Sequence, residues 1–274
     1  KYKNKAFVQN VSEPHRQQEI IVSLTSFPAR IDTIWLTLST LLEQSLMPNR
    51  IILWLSKKQF TSKKCLPYSL LRLEKYGVDI KLVDGDIRSH KKFYYSFTQF
   101  SNELVVLVDD DIIYPSNMIK RLYDRWVSLT GKRVICSYGN ITQYSKEGQR
   151  TSYNDWPEIT TTDTQYDLFF GSGGGTLIRP SDLYKDVLNK ELFLKLTPFA
   201  DDIWLNAMCR LGNVNINRER FDYILPIRIK ENSTLSSVNL TECKNDKQLN
   251  AIDSYYSKKN NIAPFSKVLP LDDN

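Results

Sequence analysis

The stretch Leu104-Val-Val-Leu-Val-Asp-Asp-Asp-Ile-Ile-Tyr114 decides how the rest of the chain is read. Five apolar residues, three of them β-branched, run without a break into three consecutive carboxylates. Apolar side chains at successive positions mean that both faces are covered, as in a central strand of a parallel sheet. Pro115-Ser116 then opens a helix, with Ser116 as its expected N-cap. Asp109, Asp110 and Asp111 therefore fall just past the carboxyl end of a buried strand, where open α/β sheets bind their ligands. Adjacent carboxylates repel one another, and a shared cation relieves the repulsion. Because alternate residues point the same way, Asp109 and Asp111 can face one hard cation while Asp110 turns aside. Taken alone, the triplet reads equally well as an acidic strand-to-helix loop.

Upstream, strands and helices alternate. Glu19-Ile-Ile-Val-Ser-Leu-Thr25 is a strand, left through the turn Ser26-Phe-Pro-Ala-Arg30. A helix follows, with Asp32 as N-cap, Ile34, Trp35, Leu38, Leu41, Leu42 and Leu46 at helical spacing, and Pro48 as its stop. Arg50-Ile-Ile-Leu-Trp-Leu55 is a second strand; residues 69–76 form a helix ended by Gly77; residues 79–83 form a third strand running into Asp84-Gly85-Asp86. A helix over 91–102 leads into the central strand. This alternation predicts a parallel, doubly wound sheet. No GxGxxG follows the first strand and no GxxxxGK[ST] occurs, so a nucleotide here is gripped by side chains and a metal, not by a glycine cradle.

Downstream, a helix over 116–129 is closed by Gly131 and followed by the strand Arg133-Val-Ile-Cys-Ser137. Residues 138–166 form a polar excursion over the sheet. Leu168-Phe-Phe170 enters Gly171-Ser-Gly-Gly-Gly175, where bare backbone serves either a turn with positive φ or close approach to a ligand. Ser181 is expected to cap a helix reaching about Lys190. After Pro198, a helix begins at Asp201-Asp202, carries Trp204, Ala207, Met208 and Leu211 on one face, and ends at Gly212. Two acids in a first turn are explained by capping and the helix dipole; the same dipole keeps a carboxylate ionised, as a general base requires. Beyond Gly212 the pattern weakens, with a strand within 221–229 and a helix over 245–256.

At 274 residues, one large domain is expected. The formal charge of +6, without long Lys/Arg blocks, suits a phosphorylated substrate or an anionic membrane surface and argues against nucleic acid. Four scattered cysteines without CxxC spacing exclude a zinc or disulfide framework and fit a reducing compartment. No apolar run approaches membrane-spanning length. The expectation is a cytoplasmic protein, with room for peripheral contact at the inner face of the cytoplasmic membrane.

Taken in order, the α/β half, the hydrophobic strand into Asp-x-Asp, the glycine-rich turn and the paired acids opening a helix resemble a GT-A-fold glycosyltransferase. The resemblance is to bacterial enzymes that build surface polysaccharides such as lipopolysaccharide and capsule, and it runs from Ile20 to about Gly212. It implies a single α/β domain with a Rossmann-like, mostly parallel central sheet flanked by helices. Residues 1–18 would be a lead-in and 19–212 the catalytic domain, with a nucleotide-binding half over about 19–111 and an acceptor half over about 112–212. Residues 213–274 would be an extension packed on the same domain.

The resemblance further implies that Asp109 and Asp111 hold Mn²⁺ or Mg²⁺ against a donor diphosphate, with Asp109 or Asp110 also reaching the ribose. Thr25 lines the nucleoside, with Pro28 and Arg30 beside it. Lys91 or Lys92 meets the nucleotide or its phosphates, and Asp84 accepts from a base N–H. Gly173, Gly174 and Gly175 form the turn under donor sugar and acceptor. Asp202 matches the catalytic base of inverting members, with Asp201 as its neighbour. The late metal-binding histidine of many relatives has no counterpart, since the histidines are His15 and His90. Tyr138, Tyr144, Tyr153, Trp156 and Trp204 are candidates for stacking on an acceptor sugar. The implied reaction is sugar transfer from a nucleoside diphosphate sugar, UDP-linked, to a glycan or lipid-linked oligosaccharide. A nucleotidyltransferase and a non-catalytic sugar-binding relative are the competing readings.

Overall fold

The structure, a computed structural model, describes residues 18–158, 167–221, 225–227 and 244–267. The expected lead-in, apart from Gln18, and the last seven residues lie outside them. Along the chain run β1 (Ile20–Thr25), α1 (Ile34–Leu41), β2 (Arg50–Ser56), α2 (Tyr68–Leu71), β3 (Val78–Val83), α3 (Lys91–Gln99) and β4 (Leu104–Val108). Then come the short β5 (Ile112–Ile113), α4 (Met118–Ser128), β6 (Arg133–Cys136), β7 (Gly139–Ile141), β8 (Leu168–Phe170) and β9 (Gly174–Ile178). The chain continues through α5 (Lys190–Leu196), α6 (Asp201–Leu211), β10 (Asn215–Arg218), β11 (Leu225–Pro226) and α7 (Lys244–Asn260).

Seven strands form the central sheet in the order β10-β6-β9-β4-β1-β2-β3. Neighbours pair in parallel except around β9, which runs antiparallel to both β4 and β6. This is a single α/β domain with a mostly parallel sheet and helices on both faces, consistent with a Rossmann-like GT-A architecture. The six parallel strands end along one edge, so the segments leaving β1, β2, β3, β4, β6 and β10 share it. β4 sits in the middle and behaves as its sequence requires. Leu104, Val106 and Val108 pack with Ile34, Leu38 and Leu122 on one face, while Val105 and Leu107 pack toward Phe93, Phe97 and Val134 on the other.

Several local expectations give way to tertiary contacts. The first helix ends at Leu41, and Leu46 is buried in the turn beyond it. Ser116 does not cap α4: the cap position is Asn117, without a side-chain bond, and the Ile119 N–H donates instead to Gln44 Oε1 at 3.0 Å. Gln44 Nε2 also donates to the Pro115 carbonyl at 2.9 Å, so the turn after α1 does the work of a local cap. The helix expected from Ser181 is replaced by two 3₁₀ turns, Pro180–Asp182 and Lys185–Leu188. There the Val187 carbonyl is drawn off to accept from Trp204 Nε1 at 2.9 Å. α5 then starts at Lys190, with Asn189 Oδ1 accepting from the Leu192 N–H at 3.1 Å. The helix expected over 69–76 is α-helical only in its first turn and 3₁₀ from Arg72 to Tyr76, and α3 stops at Gln99.

The weak pattern past Gly212 conceals β10, an edge strand of the main sheet paired with β6. Within 221–229, Leu225 and Pro226 pair with Ile113 and Ile112, laying β11 beside the acidic triplet. The excursion after β6 begins with β7, which pairs with β8, and residues 159–166 lie outside the described part. α7 seats Leu249, Ile252 and Tyr256 in the same core as α5 and α6. Among the described residues, no helix is long and apolar enough to cross a membrane.

Leu107 is fully buried at the centre of this sheet. Leu107→Ala is expected to lower unfolding free energy by about 2–5 kcal/mol, through lost burial and the cavity left behind. Urea titration followed by circular dichroism measures it, and a loss under 1 kcal/mol would mean that β4 is not the packed centre of the sheet.

Candidate active site

Where β4 ends, the backbone is clamped before any side chain reaches solvent. The Asp109 N–H donates to the Gly173 carbonyl at 3.0 Å and to Tyr114 Oη at 2.8 Å, and the Tyr114 hydroxyl donates to the same carbonyl. Asp110 turns inward and is buried, its carboxylate accepting from Ser26 Oγ and from Arg30 Nη1, the latter at 2.7 Å. Its carbonyl accepts from Thr37 Oγ1 at 3.0 Å. The other end of the same guanidinium reaches Asp111 at 2.9 Å. Burial, with the negative charge of Asp109, raises the Asp111 carboxyl to about 6 even though Arg30 opposes the shift.

Asp201 and Asp202 open α6, but neither acts as a cap: the N-cap residue is Ala200, without a side-chain bond. Their carboxylates are held by Ser172 in the glycine-rich turn. Its hydroxyl donates to Asp201 Oδ2 at 2.8 Å and its N–H to Asp202 Oδ1 at 2.7 Å. Asn206, one turn further along α6, exchanges two bonds with the backbone of Phe170, so β8 and the turn after it are pinned to the helix. Burial works against an ionised Asp201, yet Lys92 and the Ser172 hydroxyl outweigh it and hold that carboxyl below its usual range. Asp202 behaves oppositely. Burial and the neighbouring Asp201 charge raise it to about 7, against Lys92 and Ser172; its half-open position on the cavity lets water temper the shift.

Lys92 joins the two acidic sites. Its buried ammonium lies 2.7 Å from Asp109 Oδ1 and 3.2 Å from Asp201 Oδ2. Burial alone would lower its pKa, but Asp109, Asp201 and Asp202 together raise it. Lys91, the neighbouring candidate, is committed elsewhere, with its buried Nζ 2.5 Å from Asp86.

The glycine turn divides its two expected uses between different residues. Gly175 has φ +101°, just where the register of β9 against β4 shifts between Leu107 and Val108. Gly173 is needed for close approach, because a Cβ there would lie 1.7 Å from Asp109 Oδ2. Asp109 and Asp202 both open into a cavity of about 500 Å³, lined also by Gly173, Gly174, Tyr138, Glu158 and Arg218. Thr25 Oγ1 donates to the Trp54 carbonyl at 2.7 Å, Pro28 is exposed in the turn after β1, and Asp84 is exposed with Lys57 at 3.0 Å. These three, like Lys91, lie beyond the cavity walls.

Of the five aromatic candidates, Tyr138 lines the cavity; Trp204 and Trp156 are core residues. Ser172, Tyr114, Glu158 and Arg218 escape sequence reasoning. Ser172 had a signal, its place within the glycine run, whereas Arg218 sits at the end of a strand that was not legible. Among the described residues, no three His, Cys, Asp or Glu gather to hold a metal; Asp109 opens into the cavity, whereas Asp111, held by Arg30, is not among the residues that line it.

No known family's sequence pattern matches the chain, and no curated protein is similar to it in sequence. Solved structures do share its fold. One is a mannosyltransferase, PcManGT from Pyrobaculum calidifontis, in complex with GDP-Man and Mn²⁺, at 11% identity over 94% of this chain and 69% of that one, with a TM-score of 0.53. Another is TarS 1–349 from S. aureus in complex with UDP, at 11% identity over 88% and 73%, with a TM-score of 0.50. A 4-diphosphocytidyl-2C-methyl-D-erythritol synthase from Anaerococcus prevotii follows at 14% identity over 82% and 98%, but its TM-score of 0.47 is too loose to argue from. At these identities the likeness is one of fold alone.

Gly173→Ala places a methyl group where the Asp109 carboxylate now lies. The side chain is expected to swing away and, if Asp109 holds a metal as the sequence resemblance implies, Mn²⁺ uptake in the presence of UDP falls by about 10–100-fold while the fold is kept. Calorimetric titration reads the affinity. Unchanged uptake would exclude Asp109 from metal binding.

Proposed function

We propose that the protein is a metal-dependent, inverting glycosyltransferase that moves a sugar from a nucleoside diphosphate donor, UDP-linked, to a hydroxyl of a glycan or lipid-linked oligosaccharide. The observation that carries the proposal is the shared cavity of Asp109 and Asp202, two acids 93 positions apart in sequence. A fold in common with enzymes solved with GDP-Man and Mn²⁺ or with UDP agrees with it.

The donor set fits a hard dication. Asp109 and Asp111 are oxygen ligands, and Asp111 carries negative charge that Arg30 does not fully offset. Two carboxylates leave the remaining positions to diphosphate and water, as Mg²⁺ and Mn²⁺ sites commonly do. When bound, the metal supplies Lewis-acid neutralisation of the charge that develops on the leaving diphosphate. The rest falls to the chain itself. Arg30 keeps Asp110 and Asp111 apart and oriented from one guanidinium. Tyr138 and Glu158 offer a stacking face and a hydroxyl acceptor on the wall of the cavity that Asp109, Gly173 and Gly174 also line.

Asp202 takes the proton from the acceptor hydroxyl as its oxygen bonds to the anomeric carbon. The bond from that carbon to the diphosphate oxygen breaks, and its electron pair leaves with the nucleoside diphosphate. A carboxyl raised to about 7 is a better matched base near neutral pH than an ordinary aspartate, provided it is ionised. The backbone N–H of Ser172 keeps it aimed.

Two measurements test the proposal. Donor turnover with Mn²⁺ should vanish under EDTA and fall by about 10²–10⁴-fold in Asp202→Asn, with nucleoside diphosphate and not pyrophosphate released. Full activity under both treatments removes the mechanism. Because Asp202 must be ionised, kcat should climb about tenfold per pH unit below pH 7 and level off above it. A plateau already reached at pH 5 would show that another group takes the proton.

A further inference from the structure

We infer that Lys92 is a positioning residue: its buried ammonium holds the acid facing the donor and the acid pair facing the acceptor at a set spacing, without touching substrate itself. The inference rests on the proposed transfer reaction and assigns Lys92 a role other than phosphate binding. A phosphate ligand needs an ammonium open to the cavity, and the Lys92 side chain is 4% exposed with both near partners carboxylates. It is also absent from the residues lining the cavity.

The anchoring of Lys92 suits a spacer. Its carbonyl accepts from Ser23 Oγ at 2.5 Å, and Ser23 is held in turn by Ser96 Oγ at 2.7 Å and by Trp54 Nε1 at 3.1 Å. The backbone of α3 is thereby fixed to β1 and β2, and the side chain reaches from there to the ends of β4 and α6. Asp109 and Asp201 are thus one ammonium apart, although they belong to elements that do not otherwise exchange a side-chain bond among the described residues. His90, close by, is fully buried with both ring nitrogens unpartnered, and burial lowers its pKa to about 4, so it is neutral. Among the described residues, Lys92 is the cation within ion-pair distance of Asp201.

The geometry has a functional consequence. A spacer that loosens lets Asp201 recoil from Asp109, and Asp202 moves with it, because Ser172 grips both acids. Donor binding, carried by residues on the other side of Asp109, is affected less than the rate of the step that needs both acids in register.

The test uses Lys92→Met, which keeps the unbranched apolar stem and removes the charge, and Lys92→Gln, which keeps hydrogen-bond donors should the first variant fail to fold. Both are made alone and with Asp201→Asn, and thermal melting and near-ultraviolet circular dichroism establish the folded fraction. The expected result is a kcat lower by about 100-fold, as for a misplaced catalytic group, with donor KM changed less than about threefold. The acid limb of the kcat–pH profile should move to higher pH, since Lys92 favours ionised Asp202. In the Asp201→Asn background the loss should shrink below about tenfold, the non-additivity of residues acting through one another. A donor KM raised tenfold or more with kcat kept, or effects that simply multiply with Asp201→Asn, would overturn the inference and leave the proposed function intact. A wild-type protein that turns over no nucleotide sugar would overturn both.

Discussion

A single ammonium, out of water, between carboxylates delivered by different parts of the chain is the contact on which the site depends. Lys92 comes from the start of α3, Asp109 from the end of β4 and Asp201 from the start of α6. Charges in such a place are costly to desolvate, and removing the lysine strands the buried Asp201 more than Asp109, whose side chain is 43% exposed. Evolution tolerates that arrangement where the geometry is worth more than the stability it puts at risk. Here it ties the end of β4 and the start of α3 to the helix that follows the glycine turn.

Burial, compounded by the charge count around this contact, raises three of its carboxyls, those of Asp110, Asp111 and Asp202. Five aspartates, Asp109, Asp110, Asp111, Asp201 and Asp202, stand against two cations, Arg30 and Lys92. Asp110 and Asp201 are buried deepest and receive the close hydrogen bonds. Asp111 and Asp202 keep the surplus and rise to about 6 and about 7. Under the proposed function, surplus negative charge at one end of the site would suit a dication and at the other a proton in transit.

The antiparallel strand β9 makes the arrangement compact. Inserted between β4 and β6, it brings its preceding glycines under the carboxyl end of β4, where a parallel strand would have placed its amino end elsewhere. Gly173 then lies against the Asp109 carboxylate, and Ser172 faces α6. A run of small residues serves the acid loop on one side and the helix acids on the other.

Much of this was legible without coordinates, for stated reasons. Largely apolar runs rich in Ile, Val and Leu at 20–25, 50–55 and 104–108 read as strands covered on both faces, as in a parallel sheet, so class, strand sequence and the edge bearing Asp109 to Asp111 followed from hydrophobic pattern and chain direction. Paired acids before an apolar helical face located α6. What sequence could not supply was partnership across distance. Whether Ser116 or Gln44 satisfies the start of α4, whether Lys92 meets a ligand or two aspartates, and whether Arg218 reaches the cavity at all depend on which segments the packed sheet brings within 3 Å. Local pattern sets the direction in which a side chain leaves the backbone; the tertiary fold alone sets what is waiting there.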